Sequence, residues 1–285
     1  IGALVPDKRW MELLLDLDLP VRIVPRLETL EPGEAAELGL SHVGGCIPMA
    51  DGSFGSRTAL LFEEYSDMPG CRGKAQIWQS ELDLWMDKAA SLGLKTAVHA
   101  IGDGGVEMAL KSIERLKQED RPRLPRIEHA ELLTDDQIER IAEMGISLAI
   151  QPVFEELWGG PNRLYARRLG ERWKRTNRYR DLLYAGVTLA GSSDSYITPI
   201  DPLRGIRAAI NHPNPQQRVS LIEAIDMFTI NAARAEGLDN ESGSISPGKL
   251  ADFVVLNENI FGKALETLVV EITIIGGKIV YKKGV

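Results

Sequence analysis

Short apolar runs alternate along this chain with longer stretches whose apolar residues recur at helical spacing. Six runs predict buried strands: Val21 to Val24, Val43 to Met49, Lys95 to His99, Arg126 to His129, Ile146 to Ile150 and Val187 to Ala190. Continuous apolar strands of this kind suit a parallel sheet covered on both faces. Between them, Ser80 to Leu92 is amphipathic and stops at Gly93. Thr134 to Gln137 and Ser220 to Glu223 are capping boxes that open helices ending at Gly145 and Gly237. Strand then helix, repeated, means β/α units. His99 and His129 lie 30 residues apart, which is one unit of a closed eight-fold barrel at about 30 residues each. The competing open doubly wound sheet usually shows a glycine-rich phosphate loop, and no GxGxxG or Walker-type word occurs here. The pattern therefore predicts an α/β chain built as a (β/α)8 TIM-type barrel over residues 1–240. Residues 241–285 change texture to short strands with a Gly276-Gly277 turn, a small β appendage.

Composition narrows the class. The chain has 285 residues, 44% hydrophobic and 26% charged, with a formal net charge of −8. That excludes a disordered chain, and no apolar run reaches the ~18 residues of a membrane span. An acidic balance without a basic stripe argues against nucleic acid. Two cysteines, Cys46 and Cys71, make no disulfide scaffold, so a reducing, cytoplasmic setting is the expectation. The expected partner is a small-molecule substrate, with a homo-oligomer left open.

Four histidines are present, and two of them, His99 and His129, end predicted strands. Asp194 also follows a strand directly. Barrel active sites stand at that end. Two neutral imidazoles and a carboxylate suit Zn²⁺ or a similar divalent ion, which generates hydroxide near neutral pH. The bland alternative is three hydrogen-bonded core residues. Around them, Asp51 belongs either to the barrel mouth or to a DG turn, and Arg57 meets either an anionic substrate group or a surface carboxylate. Gln151 ends a strand and is a candidate donor to substrate. Trp158 is a candidate substrate platform in a long Arg-rich loop, residues 152–180, that reads as a lid. Trp78, Trp85 and Trp173 read as packing residues, Asp103 as a helix N-cap, Glu128 as pointing away from the barrel interior, and His42 and His212 as solvated.

The words TAVHAIGD, RIEHAELL with ISLAIQP, and AGSSDSYITPIDPL occur in that order, with DGSFGSRT upstream and FTINAARAEGL and GSISPGKLADFVVL downstream. From about residue 20 to the C-terminus this string resembles amidohydrolase family 3, the YtcJ-like metal-dependent hydrolases of the amidohydrolase superfamily. The resemblance implies a metal-binding barrel with a β-sandwich built from both chain ends, residues 241–285 being its C-terminal part. It implies His99 and His129 as metal ligands on the fifth and sixth strands. Asp194 on the eighth would touch the metal and act as general base. The reaction implied is hydrolysis of a C–N bond other than a peptide bond, in an amide or cyclic amidine-like group.

Two departures qualify that expectation. No His-x-His occurs, so the six strands count as the third to the eighth, and the first two are expected upstream of Ile1, making this a truncated barrel of weak metal affinity and little activity. The family's bridging lysine position holds Ile47, which favours one ion over two. Its neighbour Cys46 is either a buried thiol or a ligand, and a regular strand would turn it to the opposite face. Two other readings stay open. One is a catalytically degenerate barrel that binds a small ligand or partner. The other is a metal-free enzyme using His99 and His129 as acid and base.

Overall fold

A computed structural model describes residues 1–116, 125–262 and 265–284. In chain order they form β1 (Gly2–Val5), α1 (Lys8–Leu15), β2 (Val24–Leu27), α2 (Pro32–Glu37), β3 (His42–Met49), α3 (Gln79–Ser91), β4 (Lys95–Ala100) and α4 (Asp103–Arg115). Then follow β5 (Arg126–His129), α5 (Asp135–Glu143), β6 (Ser147–Ile150), α6 (Pro152–Trp158), α7 (Leu164–Leu169), α8 (Tyr179–Tyr184) and β7 (Leu189–Gly191). The chain continues with α9 (Pro202–Ile210), α10 (Leu221–Met227), α11 (Ile230–Glu236), β8 (Phe253–Leu256), β9 (Val270–Ile275) and β10 (Lys278–Lys282).

Seven strands, one more than the sequence pattern shows, pair in parallel in the order β1 to β7. The extra strand is the four-residue Gly2–Val5, too short and too close to the chain start to stand out. Among the described residues the sheet is open, with β1 and β7 as edges, rather than a closed eight-fold barrel. It is nonetheless curled. Arg26 on β2 and Arg126 on β5 both donate to Glu236, Nη2 to Oε2 at 2.8 Å and Nη1 to Oε1 at 2.5 Å. In a flat sheet those strands would stand about 14 Å apart. Glu236 ends α11, which packs on β7. A Cβ on Gly2 of β1 would lie 2.7 Å from Glu236 Oε1. The end of α11 thus reaches from one sheet edge to the other.

The apolar residues of the strands and the inner faces of α3, α4 and α5 form the main core, with Leu82, Met86, Val98, Leu110, Ile127 and Leu148 essentially inaccessible. A second, smaller cluster of Phe54, Tyr65, Ile101, Leu132, Tyr165 and Trp173 joins the segment after β3 to α7. Residues 152–180 are therefore not a loose loop. Their arginines are used as fasteners: Arg168 donates to the carbonyls of Phe54 and Gly55, and Arg172 to that of Glu64. The helix expected from Ser220 to Gly237 breaks at Phe228. Its ring sits against Gly191 and Gly205, where a Cβ would lie 2.5 and 2.2 Å from ring atoms. Strands β8 to β10 make a separate antiparallel sheet, and Gly276-Gly277 turns its hairpin with positive φ at both residues.

His42 and His212 are buried, contrary to the solvated reading. His42 opens β3 with its Nε2 3.5 Å from Glu236 Oε2, and His212 Nε2 lies 3.9 Å from Glu155 Oε2. Burial lowers both rings to a pKa of about 4. Trp85 and Trp173 pack in the core as expected, but Trp78 is 77% exposed. It stands just ahead of α3, where Glu81 accepts its backbone N–H.

Candidate active site

The register of β4 and β5 pairs Ala97 with Arg126 and His99 with Glu128. Paired residues in a parallel sheet share a face, so Glu128 looks to the same side as His99, not away from it. Regular alternation would then send His129 to the opposite face. It does not go there, because His129 has φ 72° and Ala130 φ 49°. This left-handed turn brings the His129 ring edge-on to His99, with centroids 4.5 Å apart. Asp194, just past β7, has φ 50°. Two of the three expected site residues thus hold a backbone conformation that costs about 1–3 kcal/mol outside glycine, a feature that clusters at functional sites.

Both rings are buried. Burial lowers His99 to a pKa of about 3, with the His129 ring adding to the effect, and lowers His129 to about 4. His99 Nε2 stands 3.3 Å from the Gly52 carbonyl, which only accepts, so Nε2 carries the hydrogen. Its Nδ1 is then a bare lone pair, buried and without a hydrogen-bond partner among the described residues. Asp194 is half-buried, and its carboxylate accepts no hydrogen bond among the described residues. Burial raises its pKa; the His99 ring pulls it down and Glu128 pushes it up. The structure brings His99 and His129 together and leaves Asp194 within electrostatic reach. Among the described residues no three His, Cys, Asp or Glu groups converge tightly enough to hold an ion.

Asp51 supports this site from below. It is fully buried, and its carboxylate accepts the backbone N–H of Ile101, Gly102 and Leu60, each at 2.8 Å. Its oxygens hold the turn after His99 and the backbone at Leu60. Burial raises its pKa to about 7 against the pull of those bonds. A Cβ on Gly105 would lie 2.4 Å from Asp51 Cγ. Gly105→Ala is expected to lower stability by about 1–3 kcal/mol in urea unfolding. Gly33→Ala, with open space around it, should cost nothing. Asp103 is the first residue of α4 rather than its cap, and its Oδ1 accepts from Phe62 N and Gly104 N. Arg57 makes a two-point pair with Asp67, the surface-carboxylate alternative.

Gln151 stands against His129, Oε1 to Nδ1 at 2.8 Å. Beyond His129 runs an aromatic row: Phe154 stacked at 6.2 Å, Trp158 at 4.6 Å from Phe154, and Tyr165 at 6.3 Å from Trp158. The Tyr165 hydroxyl donates to buried Glu131, two residues past His129 in the RIEHAELL word. Burial lifts Glu131 to a pKa of about 8 and Glu155 to about 7. Sequence reasoning passed over Glu131, Glu155 and Ser192. For Glu131 and Ser192 the only signal was their place inside recognised words.

Strand β3 is irregular beside the site. Between the pairs Gly45–Val98 and Met49–His99 three residues bulge from the ladder. Gly44 begins the distortion with φ 83°, and a Cβ there would lie 2.1 Å from the Ala97 carbonyl oxygen. The expected alternation therefore fails. Ile47 is 37% exposed, and burial, with the charges of Glu28, Asp194 and Glu128, pushes the Cys46 thiol pKa up.

Comparison with known proteins agrees with this architecture. The profile of the Amidohydrolase family matches residues 18–281. The putative amidohydrolase YtcJ of Bacillus subtilis is 36% identical over 280 residues, 91% of this chain and 50% of that protein. The N-substituted formamide deformylase of Arthrobacter pascens is 29% identical over 182 residues, 60% of this chain and 33% of that one. An uncharacterized metal-dependent hydrolase from Pyrococcus furiosus superposes with a TM-score of 0.75 at 32% identity, over 87% of this chain and 54% of the other. The chain thus spans half or less of the curated relatives it matches. A family match over residues 18–281, with a relative 36% identical over 91% of the chain, means that the chain belongs to the amidohydrolase family.

Proposed function

We propose that this chain carries the reaction centre of a metal-dependent hydrolase that cuts C–N bonds other than peptide bonds, in amides or cyclic amidine-like groups. The observation that carries the reading is the His99–His129 pair: two buried imidazoles 4.5 Å apart, with the His99 Nδ1 lone pair unpartnered. A buried acceptor with no donor is costly unless something binds it, and an imidazole lone pair suits a first-row divalent cation. His99, His129 and Asp194 would hold the ion, with zinc favoured, and with one ion favoured over two because Ile47 offers no bridging group. Bound there, the ion supplies an acidified water and polarises the scissile group. Asp194 serves as general base, taking the proton of the attacking water on its carboxylate and passing it to the leaving nitrogen. Phe154 and Trp158 line an apolar wall beside His129 for the substrate. The relatives named for amide or formamide chemistry support the bond class.

The experiment is metal removal and return. The protein is expected to bind zinc weakly, to show little amide hydrolysis, and to lose what turnover it has on chelation and regain it with added zinc. The degenerate-barrel reading draws on Ile47 and on the absence of a closed three-ligand cluster among the described residues. No bound ion and no chelator-sensitive turnover would decide for it.

A further inference from the structure

We propose that Gln151 is a positioning residue for His129. It fixes which ring nitrogen carries the hydrogen, leaves Nε2 as the open donor atom, and ties that ring to the loop bearing Asp194. The purpose of this arrangement rests on the metal-dependent reading above; its hydrogen-bond logic does not.

Gln151 directly follows β6 and is 2% exposed. Its Nε2 lies 3.1 Å from the Ala149 carbonyl oxygen. A carbonyl only accepts, so the amide NH₂ must face it, and the carboxamide cannot be turned over. Oε1 is thereby fixed toward His129 Nδ1, 2.8 Å away. That oxygen also only accepts, so Nδ1 must carry the hydrogen. The neutral ring has one hydrogen to place, and Nε2 is left with its lone pair. The other tautomer would set two acceptors face to face at 2.8 Å. It would also point an N–H where a ligand atom is needed.

The same amide reaches further. Gln151 Nε2 lies 3.2 Å from Ser192 Oγ, and Ser192 Oγ lies 3.4 Å from the backbone N–H of Asp194. A hydrogen-bond chain thus runs from the end of β5, through the ends of β6 and β7, to the proposed general base. Both amide hydrogens of Gln151 are taken, by Ala149 and Ser192. This sets aside its candidacy as a donor to substrate and gives it a different role. Partners of this kind to a metal-bound histidine typically change metal affinity by about 10–100-fold when removed.

The test reads the tautomer itself. The protein has four histidines, so long-range ¹H–¹⁵N correlation of the labelled chain yields four ring systems, assigned by single substitutions. In the metal-free wild type His129 is expected to be protonated on Nδ1. Gln151→Met, close in shape but without the acceptor, should release the ring to the Nε2–H form and weaken zinc binding about 10-fold or more. Gln151→Glu keeps an acceptor opposite Nδ1 and should retain the wild-type tautomer. Unmoved signals from His42 and His212, which lie outside the pair, report an intact fold in each variant. A wild-type His129 protonated on Nε2, or a Met variant that keeps Nδ1–H, overturns the assignment. So does a tautomer change that leaves zinc affinity untouched. Tautomers that behave as expected in a protein that takes up no zinc would uphold the role of Gln151 and sink the hydrolase reading instead.

Discussion

Glu236→Gln is expected to cost about 3–5 kcal/mol, a large share of the 5–15 kcal/mol that holds a typical domain together. Glu236 joins sheet positions that are distant in sequence: Arg26 on β2, Arg126 on β5 and, through its backbone carbonyl, Lys95 on β4. Arg26 is wholly buried, and its Nε and Nη1 already lack partners among the described residues. With Glu236 neutral, the Arg26 guanidinium would lose its carboxylate partner among the described residues, and Arg126 would be left there with Glu128. Burial alone would raise the Glu236 pKa, but Arg126 and Arg26 outweigh it and hold the group down to about 2, against a usual 4.5. A depressed carboxylate pKa stabilises the fold above the unfolded-state value and loses that contribution as pH falls through the folded-state value. The gap between wild type and Glu236→Gln should therefore be full above pH 4.5 and close as pH drops toward 2. Urea midpoints at several pH values measure it. A gap below about 1 kcal/mol that ignores pH would mean the network does not hold the curl.

What could be read in the sequence was local. Strand β5 runs from Arg126 to His129 as its apolar run predicts, and the Thr134 and Ser220 boxes cap α5 and α10 through their own side chains. The Gly276-Gly277 hairpin is likewise written in adjacent residues. What could not be read depends on partners far along the chain. His42 looked solvated in LSHVGG because its neighbour Glu236 is 194 positions away. The same holds for His212, whose neighbour Glu155 lies far back along the chain. Regular alternation along β3 and β5 would turn Cys46 and Glu128 away from the site. The bulge in β3 and the positive φ at His129 break it, and neither leaves a mark in local composition beyond the Gly44-Gly45 pair. The candidate site was legible as three residue names at strand ends. The left-handed turn that brings the His129 ring to His99 was not, because it is set by packing.

Asp194→Asn and His99→Ala should separate two kinds of loss at the site. Asparagine keeps the shape of the side chain and its position at φ 50°, but cannot take up a proton under working conditions. If Asp194 is the general base, the substitution lowers kcat about 10²–10⁴-fold while much of the bound zinc remains, since the two imidazoles still offer their nitrogens. His99→Ala removes the buried, unpartnered Nδ1 itself. Zinc content should then collapse, and activity with it, and excess zinc should restore part of the rate if weak sites can be filled. The two variants thus differ in metal-to-protein ratio more than in activity, and elemental analysis beside initial rates reads both. Equal zinc loss in both would make Asp194 chiefly a ligand. Full activity in Asp194→Asn would remove it from the chemistry and point to another buried carboxylate, Glu131 or Glu128, as the acceptor of the proton. Glu128 is the better placed of those two, because its register with His99 puts it on the same face of the sheet.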